Sequence, residues 1–325
     1  MDLSIVIPMH NEETNLDPLF ERLTTVCYSL RLSYEIICVD DGSRDNTLNR
    51  LVEYHQKDPR IKVLALSRNF GKEVALTAGI DHAQGNAVVP IDADLQDPPE
   101  LIGELVAKWR EGYDVVYGVR RSRQGESWLK RWTAYSFYRV IGRISQVTIP
   151  SDTGDFRLMD RRVVEALKQL PERKRFMKGL FAWVGFKQIP IYYDRSPRHA
   201  GKTNWNYWKL WNFAIDGIAS FSLVPLKVWS YIGLVFAMLA FIYASWLIIR
   251  TLIFGVEVPG YVSTMVSILF MGGLQLISLG VIGEYLGRVY EEVKGRPLYL
   301  IREAYGLGLS HQPPRNLGSS TDSIH

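Results

Sequence analysis

A chain of 325 residues, 47% hydrophobic and 22% charged with a mean hydropathy near zero, has room for a full core plus an appendage. That excludes disulfide-stapled miniproteins and disordered chains. Cys27 and Cys38 lie in apolar runs and read as core thiols of a reducing compartment rather than a disulfide framework. The net charge of +4, from 38 Lys+Arg against 34 Asp+Glu, is too mild to argue for nucleic acid.

In chain order, Leu3 to Ile7, Glu35 to Val39, Ile61 to Leu66 and Ala87 to Ile91 are short β-branched runs that read as strands. Asn15 to Leu30, Thr47 to Gln56, Lys72 to Ala83 and Pro99 to Arg110 read as the helices between and after them. The alternation predicts an α/β, Rossmann-like doubly wound sheet in a catalytic domain spanning 1–200, with ligands beyond the carboxyl ends of the strands. Those ends carry His10-Asn11-Glu12-Glu13, Asp40-Asp41-Gly42-Ser43, Ser67-Arg68-Asn69 and Asp92-Ala93-Asp94-Leu95-Gln96-Asp97. Helix capping explains one such end, but carboxylates crowded at one sheet edge repel unless a cation or donor-rich ligand sits between them. Asp92, Asp94 and Gln96 alternate, so an extended segment would set their oxygens on one side, a hard set suited to Mg²⁺ or Mn²⁺. Neither G-x-x-x-x-G-K-[ST] nor G-x-G-x-x-G occurs, so any phosphates must be met by metal rather than by a glycine-rich cradle.

Farther on, Arg120, Arg121, Arg123, Lys130 and Arg131 form a basic run, read either as a solvated face, as attraction to anionic lipid, or as Arg120 and Arg131 meeting a phosphate. Trp128 to Arg139 mixes aromatics with cations, and Trp205, Trp208, Trp211, Ile215 and Ile218 recur at helical spacing, so 201–227 reads as interfacial helices, with packing against the sheet as the bland alternative. Charge vanishes over Val228 to Ile249 and again over Tyr261 to Gly283, each long enough to cross a hydrocarbon core, so 228–283 is expected to be a pair of membrane helices. Lys227 before them and Arg288, Lys294, Arg296 and Arg302 after them put both termini in the cytoplasm of a multi-pass inner-membrane protein. Met1 to Ile7 has no basic n-region, so no secretory signal is expected there. Residues 284–309 are expected to form a cytoplasmic helix, and the Pro/Ser-rich stretch from Ser310 a disordered tail.

Ile5-Val6-Ile7-Pro8 leading to Asn11-Glu12, Val39 to Ser43 with Asp45-Asn46-Thr47, Asn69-Phe70-Gly71-Lys72 and Ile91 to Glu100 together resemble glycosyltransferase family 2, the GT-A fold. Gly118-Val119-Arg120, Thr153 to Leu158, Arg198 to Thr203 and the two apolar stretches narrow the resemblance to the polyprenyl-phosphate glycosyltransferases. Within these the layout is most similar to the bacterial undecaprenyl-phosphate (bactoprenol) glucosyltransferases, related to dolichol-phosphate mannose synthases. The resemblance implies that Pro8, Glu12 and Asp41, with Asn11 of the same motif, contact the donor nucleotide, that Asp92 and Ala93 add donor contacts, that Asp94 and Gln96 hold Mg²⁺ or Mn²⁺, and that Arg120 and Arg198 meet phosphate. Asp92 as a third metal ligand and Arg131 at the acceptor phosphate are expected from the residues themselves. Two positions depart from the pattern: the aromatic two residues after the motif proline is His10, and a Lys of the dolichol branch is Asn204, which favours the glucosyl branch. The implied partners are a nucleotide sugar, a polyprenyl phosphate, the membrane, a homo-oligomeric copy, a flippase and a downstream periplasmic or lumenal glycosyltransferase, with no nucleic acid.

The expected reaction moves a hexose, glucose by resemblance, from UDP-glucose to the lipid phosphate. A phosphate monoester has a second pKa near ~6 and needs no strong base, which leaves alignment, charge neutralisation and leaving-group stabilisation to the protein. Arg120, Asp94 and Asp155 are the catalytic candidates; Asp155 in Gly154-Asp155-Phe156-Arg157 orients the acceptor, serves as a base, or pairs with Arg157. A processive polysaccharide synthase would carry a Q-x-x-R-W segment, absent here, and a silent nucleotide-sugar-binding scaffold would have a broken Asp92, Asp94, Gln96 motif, intact here. Because the donor and metal motifs precede residue 100, the apolar helices are expected to supply location rather than chemistry.

Overall fold

The computed structural model describes residues 1–121, 153–170, 172, 177–194, 224–254 and 260–308. Arg123, Lys130, Arg131, Arg198, Asn204, the aromatic stretches Trp128 to Arg139 and Trp205 to Ile218, and the tail from Ser310 lie outside the described residues.

The four expected strands form as β1 (Leu3–Met9), β2 (Tyr34–Asp40), β3 (Ile61–Leu66) and β4 (Ala87–Pro90). The expected helices are α1 (Leu16–Leu30), α2 (Thr47–Lys57), α3 (Lys72–His82) and α4 (Ile102–Arg110). β1 pairs in parallel with β2 on one side and β4 on the other, and β2 pairs in parallel with β3, so the strand order reverses at β1. Alternate residues of β1 feed opposite cores: Ile5 and Ile7 pack with Leu19, Leu23 and Leu105, and Val6 with Leu76 and Ile80. Glu35 is fully buried within β2, where the Lys62 ammonium at 2.5 Å, the Ser4 hydroxyl at 2.5 Å and the Gln84 N–H at 2.7 Å satisfy it.

The purely Rossmann-like expectation needs widening, because with β5 (Val115–Arg120), β6 (Thr153–Asp160), β7 (Gln188–Tyr193) and β8 (Ile301–Tyr305) the sheet has eight strands of mixed sense in the order β7-β5-β6-β4-β1-β2-β3-β8. β5 runs parallel to β7, and β6 lies antiparallel between β5 and β4. Two short helices, α5 (Arg161–Lys168) and α6 (Met177–Trp183), cover this half; Asp160 caps α5 through the Arg162 N–H.

Two long helices follow, α7 (Val224–Phe254) and α8 (Tyr261–Val293), of 31 and 33 residues, touching where the Phe236 and Phe270 rings lie 5.6 Å apart. Many of their described apolar side chains, among them Met238, Ile242, Leu252, Leu276 and Leu279, face outward. Among the described residues, Phe270–Val293 is the stretch long and apolar enough to cross a membrane by length and composition.

The expectation of one helix over 284–309 is corrected. α8 ends at Val293, Gly295-Arg296-Pro297 breaks it, and β8 (Ile301–Tyr305) pairs antiparallel with β3. The free edge of β3 offers unpaired N–H and C=O groups, and β8 satisfies them while Tyr299, Ile301, Ala304 and Leu307 pack on the core beneath. The sheet is thus closed by residues from beyond the long helices.

Candidate active site

The ends of β1, β2 and β3 form a laced floor. Pro8, half-buried, sits opposite Val39; His10 Nδ1 lies 2.9 Å from the Asp41 carbonyl. Asn11, at φ 56°, donates its N–H to Ser43 Oγ at 3.0 Å and accepts the Arg44 N–H at 2.8 Å through Oδ1. Glu12 donates its N–H to Thr47 Oγ1 at 2.9 Å, and its carboxylate accepts Asn15 Nδ2 at 2.6 Å. Asp41, 3% exposed, accepts the Phe70 and Gly71 N–H groups at 2.7 and 2.9 Å. Burial raises its carboxyl pKa above the ordinary value, and those two N–H groups work in the opposite direction. Gly42, at φ +66°, is required here: a Cβ would lie 2.7 Å from the Arg68 carbonyl carbon and the Asn69 nitrogen. These loops surround a cleft of about 520 Å³.

Beyond β4 the chain does not remain extended. The strand stops at Pro90 and Leu95 takes φ 58°, so the alternation that was expected to align Asp92, Asp94 and Gln96 is corrected to a turn. Asp94, 8% exposed, accepts the Gln96 N–H at 3.1 Å and is thereby folded over the turn with Gln96 beside it. Ala93 is buried. Asp92 instead faces Lys72, whose Nζ lies 2.7 Å from it and 2.7 Å from Asp155 on β6.

Lys72 therefore bridges two carboxylates contributed by different halves of the sheet. Burial lowers its pKa, but the Asp92 and Asp155 charges outweigh this and the net direction is up, so the ammonium stays charged. Burial pushes the Asp92 carboxyl up, the Lys72 cation opposes this, and the Asp155 charge adds to it. Arg157, next but one to Asp155, donates to the Gly154 carbonyl at 2.9 Å and lies over the Phe181 ring at 3.9 Å; burial lowers its pKa to about 10. Arg120 at the end of β5 packs across Gly154, where a Cβ would come within 2.8 Å of its guanidinium, and it approaches buried Asp97 at 3.9 Å. Asp97 also accepts the Tyr193 hydroxyl at 2.5 Å.

The structure thus brings Asp92, Asp155 and Lys72 into one cluster and Arg120, Asp97 and Tyr193 into another, with Asp94 and Gln96 on the turn between Asp92 and Asp97. Arg131 and Arg198 lie outside the described residues. Lys72, Asp97 and Tyr193 were not among the sequence candidates. Lys72 closes the Asn69-Phe70-Gly71-Lys72 motif, a cation at a helix start where the macrodipole disfavours it, and that anomaly was the available signal. Among the described residues no three His, Cys, Asp or Glu side chains form a metal cage. Asp94 and Gln96 still fit a hard cation that draws most of its ligands from water and phosphate.

Residues 4–168 match glycosyl transferase family 2. The chain belongs to this family. Residues 224–289 match a second family, the GtrB C-terminal hairpin. An uncharacterized glycosyltransferase of Synechocystis sp. is 67% identical, over 94% of this chain and 96% of its own length. The SfII prophage-derived bactoprenol glucosyl transferase of Shigella flexneri is 49% identical over 94% of this chain and 99% of its own. A prophage bactoprenol glucosyl transferase homolog of Escherichia coli is 50% identical over 93% and 99%. The protein is a glycosyltransferase, and its mixed α/β sheet is of the GT-A type.

For this glycosyltransferase, Lys72→Met should move the acid limb of the kcat/KM profile to higher pH by about 1 pH unit. The cation favours the ionised form of Asp92, so without it the carboxyl takes up its proton at higher pH. A limb left in place would separate this ion pair from the reaction.

Proposed function

We propose that the protein transfers glucose from UDP-glucose to a polyprenyl phosphate at the cytoplasmic face of the inner membrane, inverting the anomeric centre. The observation that carries this reading is the end-to-end similarity to bactoprenol glucosyl transferases, which includes both the sheet-edge cluster and the apolar helices. Membrane attachment through α7 and α8, both crossing the bilayer with the termini on the cytoplasmic side, accords with their length and outward apolar side chains.

In this reading Pro8, Asn11, Glu12, Asp41, Asp92 and Ala93 form the donor site, and Asn11 is the one of them that lines the cleft. Asp94 and Gln96, with Asp92 nearby, would hold Mg²⁺ or Mn²⁺, which supplies charge stabilisation to the departing diphosphate. Arg120, Arg131 and Arg198 hold the acceptor phosphate by charge-assisted hydrogen bonds. An oxygen of the phosphate dianion forms a bond to the anomeric carbon as the bond to the UDP oxygen breaks, and UDP leaves with that electron pair. No proton need be removed from the dianion, so Asp155, held by Lys72, serves to orient rather than to deprotonate. The product, formed on the cytoplasmic side, then requires a flippase before a downstream glycosyltransferase can use it.

The test is transfer of labelled sugar from a panel of nucleotide sugars to polyprenyl phosphate, with NMR of the product. UDP-glucose is expected to give a β-linked lipid phosphate. A retained α configuration, or no lipid product from any donor, would overturn the reading.

A further inference from the structure

The cleft at the ends of β1, β2 and β3 is lined by Arg44, Arg68 and Arg302, and among the described residues no carboxylate lines it. Arg68 lies over the Phe70 ring at 4.1 Å and donates to the Asn69 carbonyl at 3.0 Å, which holds its guanidinium in place. Arg302 reaches the same cleft from a different direction, on β8. The register of β3 with β8 pairs Ala65 with Glu303 and Leu66 with Ile301, so Arg302 is the extra residue of a β-bulge. A bulge re-aims a side chain out of the regular alternation. Just before it, the Ser67 N–H donates to the Leu300 carbonyl at 2.9 Å and ties the strand entry to the loop that carries Arg68. The Arg302 side chain remains 48% exposed, with Nε 3.3 Å from Glu303 Oε1, so it stands at the cleft rather than in the core.

We propose that Arg302 is a donor-binding residue: β8, arriving after the two long helices, completes the nucleotide pocket with a guanidinium that meets the nucleoside end of a nucleoside diphosphate, the end farthest from Asp94 and Gln96. This rests on the reading of the cleft as the donor site. Arg44, Arg68 and Arg302 bring guanidinium groups to the cleft, Arg302 sharing its charge with Glu303 at 3.3 Å, and each offers paired donors, which Lys does not, to the carbonyl and hydroxyl oxygens of a base and ribose. The placement makes donor affinity depend on a strand on the far side of α7 and α8 in sequence. Loss of β8 pairing would then weaken nucleotide binding without touching any motif before residue 100.

The experiment measures UDP binding by calorimetry to the full-length protein in detergent, for wild type, Arg302→Ala and Arg302→Lys, together with the unfolding midpoint of each free protein. Arg302→Ala is expected to raise the Kd for UDP about 10-fold or more, with Arg302→Lys between the two. The KM for the nucleotide sugar should rise while kcat and the KM for the lipid hold, and the free-protein midpoint should not move. Unchanged UDP affinity in Arg302→Ala would overturn the proposal. So would a midpoint that falls in step with affinity, since the residue would then act through the strand. Failure of wild type itself to bind UDP would instead strike the reading of the cleft as a donor site.

Discussion

Asp94→Asn is expected to lower turnover on the order of 100-fold or more, with Mn²⁺ binding in the presence of UDP weakened in parallel. The substitution is nearly isosteric, and the amide oxygen can still accept the Gln96 N–H that Asp94 accepts at 3.1 Å, so the turn should persist. What is lost is one negative charge at a buried position that, on the proposed function, would face a dication and a diphosphate. Mn²⁺ binding is read by electron paramagnetic resonance and turnover by labelled-sugar transfer, so the two effects are measured independently. Full activity of the wild type in excess chelator, or normal Mn²⁺ affinity in the variant, would remove Asp94 from the metal site.

The parallel half of the sheet was legible because each strand is a short β-branched run set off by helical stretches, a pattern imposed by burial on both faces. The antiparallel additions were not. β8 reads Ile-Arg-Glu-Ala-Tyr, with two charges in five residues, after a long helix; only the open edge of β3 in three dimensions makes it a strand. The site was legible as a list of motifs but not as contacts. Lys72 and Asp155 meet across 83 positions of sequence, and no local pattern encodes that. The assumed alternation of Asp92, Asp94 and Gln96 failed for a local reason, the left-handed Leu95, which is uncommon for a branched apolar residue and so not anticipated.

Ending the chain after Leu223 should produce a protein that binds UDP poorly or not at all and aggregates on concentration. From sequence alone the opposite is expected, since the donor and metal motifs all precede residue 100. The truncation, however, removes β8 along with the apolar helices. It strips Val63, Leu64, Ala65 and Leu66 of their antiparallel partner and leaves β3 as a flat, apolar edge, a template for pairing with other chains. It also uncovers the core side chains beneath Tyr299, Ile301, Ala304 and Leu307. Partial burial of four such groups stabilises by roughly a few kcal/mol, a large share of the ~5–15 kcal/mol that holds a typical domain together. The Arg302 guanidinium leaves the cleft in the same step. A variant that deletes 224–293 but rejoins 294–308 through a flexible linker long enough to restore β8 should recover solubility and UDP affinity, while transfer to a lipid held in a bilayer stays low for want of an anchor. Solubility and UDP titration of the two shortened chains decide the matter. If the simple truncation stays monomeric and binds UDP as tightly as the full chain, β8 is a dispensable edge and the donor site is complete without it.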